Sequence, residues 1–100
     1  MLFISSSISI AEAEIELTAI RAQGPGGQNV NKVSSAIHLR FDIPGSSLED
    51  AVKRRLLKLS DQRISKEGVV IIKAQRYRSQ DKNRTEALQR LQELVQSAMF

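Results

Sequence analysis

The sequence predicts an α+β domain: a small, mostly antiparallel sheet of three or so strands with two helices packed on one face. The expected order is strand, Gly-Gly-Gln loop, strand, helix, strand, helix. Three observations predict it. Apolar and polar residues alternate twice before Pro44, apolar residues recur at helical spacing twice after it, and a β-branched run lies between the two helical patterns. A chain of 100 residues suits one domain, 1–100, with one modest core.

Residues 1–14 are Ser/Ile-rich, then Ala/Glu-rich, and are expected to be only partly ordered. Ile15, Leu17 and Ala19 alternate with Glu14, Glu16 and Thr18, the period of a half-buried strand. After a glycine-rich stretch, Ile37, Leu39, Phe41 and Ile43 alternate with Ala36, His38, Arg40 and Asp42. The first set should face the core, with His38 and Arg40 facing outward. Pro44-Gly45 ends that strand as a turn. Ser47-Leu48-Glu49-Asp50 then reads as a capping box opening a helix from about 47 to 63, with Leu48, Val52, Leu56 and Leu59 as its apolar stripe. Gly68 introduces Val69-Val70-Ile71-Ile72-Lys73-Ala74, a run typical of a more buried strand. Leu88, Leu91, Leu94, Val95 and Ala98 mark a last helix from about 80 to 98, for which Ser79 is the expected N-cap.

Composition excludes several classes of chemistry. There is no cysteine, so there is no disulfide, thiolate site or cysteine nucleophile. One histidine leaves too few nitrogen ligands for a usual zinc centre, and no metal or cofactor is expected. His38 has no carboxylate or hydroxyl partner visible in the sequence, which argues against an acid–base role. The formal charge of +4 suits nucleic acid or an anionic surface. No uncharged apolar run is long enough to span a membrane, and the start of the chain lacks the basic region of a signal peptide. The expectation is a cytoplasmic protein without a membrane partner.

The stretch Arg21-Ala22-Gln23-Gly24-Pro25-Gly26-Gly27-Gln28-Asn29-Val30-Asn31-Lys32 falls between the first two predicted strands. A loop that long in a compact domain is usually functional or disordered. The glycines do not have the spacing of a dinucleotide fingerprint, and a strand rather than a helix follows. Asn31-Lys32-Val33 lacks the glycine and hydroxyl neighbours of a phosphate-binding P-loop lysine. What remains is a plain surface loop or a loop that offers backbone N–H groups to an anion.

Gly26-Gly27-Gln28 within this loop resembles the signature loop of the class 1 peptide-chain release factors. It is more similar still to that of their small relatives, the ribosome-rescue peptidyl-tRNA hydrolases of the ArfB (YaeJ) type. The resemblance extends to Arg21, to Ala36-Ile37-His38-Leu39-Arg40-Phe41, and to Tyr77-Arg78-Ser79-Gln80-Asp81-Lys82-Asn83-Arg84, covering roughly Ile10 to Val95. It implies hydrolysis of the ester between a nascent peptide and tRNA, in the peptidyl-transferase centre of the ribosome. The implied partners are ribosomal RNA and peptidyl-tRNA, with the protein acting as a monomer.

Gln28 carries no titratable group, so it would act by position: a backbone N–H toward the developing charge and an amide shaping the water pocket. Gly26 and Gly27 would let the main chain enter a narrow space. The resemblance also raises N-methylation of the Gln28 amide. Arg21, Lys32, Arg40, Arg78 and Arg84 are the expected RNA-binding residues, meeting phosphates that position without reading sequence. Lys53, Arg54, Arg55 and Lys58 form a second basic group on the first predicted helix, for which a solvated face is the simpler account.

The codon-reading tripeptides of full release factors do not occur, which favours the rescue type. That type continues into a Lys/Arg-rich tail, whereas this sequence stops at Phe100, so a catalytic domain without its tail is expected. The competing reading is a non-catalytic ribosome- or RNA-binding accessory module.

Overall fold

The computed structural model describes residues 1–21 and 35–99. In chain order the elements are β1 (Leu2–Phe3), β2 (Ser9–Ile10), a 3-10 turn over Glu12–Glu14, β3 (Ile15–Ile20), β4 (Ala36–Asp42), α1 (Asp50–Leu57), β5 (Val69–Ala74) and α2 (Gln80–Ser97). The main sheet is antiparallel with order β3-β4-β5, which is the α+β arrangement predicted. Ile15 pairs with Phe41 and Ile20 with Ala36 across one ladder; Ile37 pairs with Ala74 and Asp42 with Val69 across the other.

Alternation along β4 divides the sheet into two faces. Ile37, Leu39 and Phe41 are buried, whereas Arg40 and Asp42 are exposed. Both helices cover the inward face: Val52 and Leu56 of α1 and Ala87, Leu91, Leu94 and Val95 of α2 join Leu39, Phe41 and Ile72 in one core. Each large apolar side chain buried in this way contributes about 1.5–3 kcal/mol.

Several expectations are corrected. Residues 1–14, for which no element was expected, carry a hairpin of β1 and β2, Leu2 opposite Ile10, around the turn Ser5-Ser6-Ser7. The Ser5 hydroxyl accepts from the Ser7 and Ile8 amides, both at 3.2 Å. Ile4 and Ile10 enter the core, and the Gln92 and Gln96 side chains of α2 donate to the Phe3 and Ile4 carbonyls at 2.6 and 2.9 Å. Strands of two residues are too short for an alternating pattern to show.

The first helix runs only over Asp50–Leu57, and the predicted capping box does not form: Glu49 is the N-cap and makes no side-chain bond. The Glu14 carboxylate takes Ser47 instead, accepting from its amide at 2.6 Å and its hydroxyl at 2.8 Å. Beyond Lys58, Asp61 accepts from the Arg63 amide at 2.9 Å and pairs with its guanidinium at 2.8 Å. This local bonding competes with helix continuation. Leu59 still packs on the core from outside the helix.

β5 is an edge strand rather than a more buried one. Its residues alternate, with Val70, Ile72 and Ala74 inside and Ile71 exposed. Ala36 is fully buried, and Ala19, expected inside, is exposed because the inward row of β3 loses cover between Ile15 and Ala19.

Candidate functional site

The sheet register decides what can act together. Because Ile20 lies opposite Ala36, the chain leaves β3 and re-enters β4 at the same end of the sheet. Ala74, opposite Ile37, ends β5 there too. The segment 75–79 and the first turn of α2 are therefore beside the two points between which the glycine-rich stretch runs. Gly26, Gly27, Gln28 and Lys32 lie outside the described residues.

Three sequence elements build this end. Ser79 caps α2, its hydroxyl accepting from the Lys82 amide at 3.3 Å, and Asp81 stands in the first turn, where the helix dipole favours an acid. Asn83 follows one turn later and is fully buried. Its carboxamide donates to the Ser35 carbonyl at 2.7 Å and the Tyr77 carbonyl at 2.8 Å, and it accepts from the Tyr77 amide at 2.9 Å. Sequence reading missed Asn83, yet a signal existed. Asn83, Ala87, Leu91 and Val95 follow each other at four-residue steps, so a polar residue stands on the apolar stripe.

The cations around this anchor differ in freedom. Arg21, Arg78 and Arg84 are exposed and make no ion pair among the described residues. Arg76 is drawn to Glu86 at 3.7 Å, and Glu86 also pairs with Arg90, whose guanidinium donates to the Lys73 carbonyl at 3.1 Å. The Lys82 ammonium lies 5.8 Å from the centre of the Tyr77 ring. A shallow groove runs here, lined by Arg76, Tyr77, Lys82, Glu86 and Arg90. Arg84 points the other way, toward Ile15, Leu17 and Leu88.

Arg40 stands apart. It projects from the outward sheet face, about 13 Å along β4 from Ala36, and faces Glu16 at 4.0 Å. His38 is opposite Thr18 and Lys73, with no carboxylate on either side of it in the ladder. The α1 cations occupy the opposite end of the sheet, where Lys53 donates to the Pro44 carbonyl at 3.0 Å. No group of three acidic or histidine side chains capable of holding a metal occurs among the described residues. Among the described residues, this end of the sheet presents the exposed cations Arg21, Arg76 and Arg78.

The RF-1 domain profile matches residues 4–100. This chain belongs to the RF-1 domain family. The peptidyl-tRNA hydrolase ArfB of Pseudomonas putida is 65% identical to this RF-1 domain over 98 residues, 98% of this chain and 72% of that protein. The large ribosomal subunit protein mL62 of Mus musculus is 31% identical over 85 residues, 84% of this chain and 41% of its own length. Peptide chain release factor 1 of Parabacteroides distasonis is 32% identical over 88 residues, 88% of this chain and 20% of its own length. No helix among the described residues of this RF-1 domain is long and apolar enough to cross a membrane.

Proposed function

We propose that this RF-1 domain hydrolyses the ester of peptidyl-tRNA on ribosomes stalled without a stop codon, as a codon-independent rescue factor. The observation that carries the reading is the 65% identity, over 98 residues, to a peptidyl-tRNA hydrolase ArfB. Gly26-Gly27-Gln28 supplies the chemistry. The Gln28 amide N–H stabilises the charge that develops on oxygen as water attacks the ester, and the leaving tRNA oxygen takes the proton. One preorganised donor of this kind contributes on the order of 10²–10³ in rate. With no titratable side chain in the loop, the remaining acceleration comes from the ribosome's own positioning of water and ester.

Arg21, Lys32, Arg78 and Arg84 meet phosphates of ribosomal RNA in the peptidyl-transferase centre and of the tRNA. Arg40 contributes less, since Glu16 already faces it. The domain over 1–100 acts as a monomer in the cytoplasm, needing no cofactor of its own.

The test is release of labelled peptide from ribosomes halted at the end of a message lacking a stop codon. Gly27→Ala should lower the rate by about 10² or more, with ribosome binding retained. Gln28→Ala keeps the backbone N–H, loses only the side-chain amide and should lower the rate less. Undiminished release by Gly27→Ala overturns the mechanism. Ribosome binding without release by the unsubstituted chain makes the protein an accessory module instead.

A further inference from the structure

Asn83 is the one polar side chain fully buried among the described residues, and its carboxamide makes three hydrogen bonds, all to backbone groups. Burying a carboxamide costs free energy that an aliphatic side chain at the same place on the stripe would not incur. What the carboxamide adds is direction. It holds both polar groups of Tyr77, as a strand partner would, and reaches across 48 residues of sequence to the carbonyl of Ser35. Ser35 is the residue at which the chain arrives at β4 from the glycine-rich stretch, and Tyr77 lies between the two exposed cations Arg76 and Arg78.

We infer that Asn83 is a positioning residue for peptidyl-tRNA hydrolysis: it fixes the Ser35 root of the catalytic stretch and the Arg76–Arg78 turn to one another through α2. The inference rests on the hydrolase reading above. Arg78 grips RNA on one side of the clamp, and the chain leading back to Gln28 leaves from the other. A fixed spacing between grip and root therefore sets where the glycine-rich stretch is anchored once the protein is docked. A misplacement of about 1 Å at a reacting centre is enough to cost about 10²-fold in rate. Binding draws on the charges of several cations, all of which Asn83→Ala leaves in place.

The experiment uses the full chain and its Asn83→Ala variant in the peptide-release assay, with factor concentration varied. Val95→Ala, a core substitution further along the same helix stripe, serves as the stability control. Asn83→Ala should lower the release rate at saturation by at least about tenfold, while the half-saturating concentration changes by less than about threefold. Val95→Ala, below its melting temperature, should release at the unsubstituted rate. Asn83→Ser keeps a small donor and acceptor at the site and takes the place of the alanine variant should that variant not fold. Release by a folded Asn83 variant at the rate of Val95→Ala overturns the inference. So does a defect confined to the half-saturating concentration, and so does failure of both variants to fold. Absence of release by the unsubstituted chain is a different result and overturns the hydrolase reading itself.

Discussion

Two side chains near the helix ends show how differently single residues report. Ser79 satisfies an amide of the first turn of α2 at the protein surface, so Ser79→Ala should lower stability by about 1 kcal/mol, read from denaturant unfolding. Asp61 lies in the turn after α1, where hydrogen bonds from the Arg63 guanidinium and amide hold its carboxyl down to about 2, against an ordinary 3.8. A depressed carboxyl stabilises the fold when ionised. Its contribution is whole above about pH 4 and is lost as the pH falls through about 2. The stability gap between the unsubstituted chain and Asp61→Asn should therefore shrink between about pH 4 and about pH 2. A gap that stays constant over that range contradicts the assignment. Glu14 is shifted in the same direction, first by the Ser47 hydroxyl, and loses its hold on the approach to α1 as it protonates.

Among the elements, the turn into β5 depends most on a single backbone position. Gly68 has φ of +83°, and a Cβ there would stand 2.7 Å from Leu57 and 3.1 Å from Pro44. Gly68→Ala thus combines a strained backbone with a clash and should lower stability by about 1–3 kcal/mol, measured by thermal melting. Destabilisation below a few tenths of that would mean α1 and the Pro44 turn can move apart freely. The legibility of the elements follows their length and the range of their interactions. β4 and α2 are readable because seven and 18 residues carry full periods of their patterns. The hairpin over residues 2–10 is not, since its strands hold two residues each and its partners, Gln92 and Gln96, are remote in sequence. The start of α1 misleads because Ser47 can bond either a helix amide or a carboxylate, and only the fold brings Glu14 to it. At the candidate site, Arg78 and Arg84 are legible only through the family resemblance, since both are remote from the glycine-rich stretch in sequence. The separation of Arg40 from them is not, because it depends on strand register.

The whole molecule is polarised between two basic ends. Arg21 and Arg78 stand by the roots of the glycine-rich stretch and Arg84 beside Glu12, Ile15 and Leu17 on the β3 side, whereas Arg54, Arg55 and Lys58 stand by the turns at the far end of the sheet. If RNA meets the first end, replacing Arg78 and Arg84 by Ala should weaken ribosome binding. It should also make the dependence of log affinity on log salt shallower by about 0.7–0.9 for each phosphate no longer neutralised. Replacing Arg54 and Arg55 by Ala should leave that slope unchanged. Equal effects at both ends, in a salt titration of binding, contradict the assignment. The hairpin has a bearing on how the protein is made. Its carbonyls are met by α2, with Ile4 and Gln96 separated by 92 residues. The hairpin must therefore wait, with Ile4 and Ile10 uncovered, until α2 has been made. Closure of the core follows synthesis of α2, and a nascent chain halted before Gln92 should remain open to protease at the hairpin.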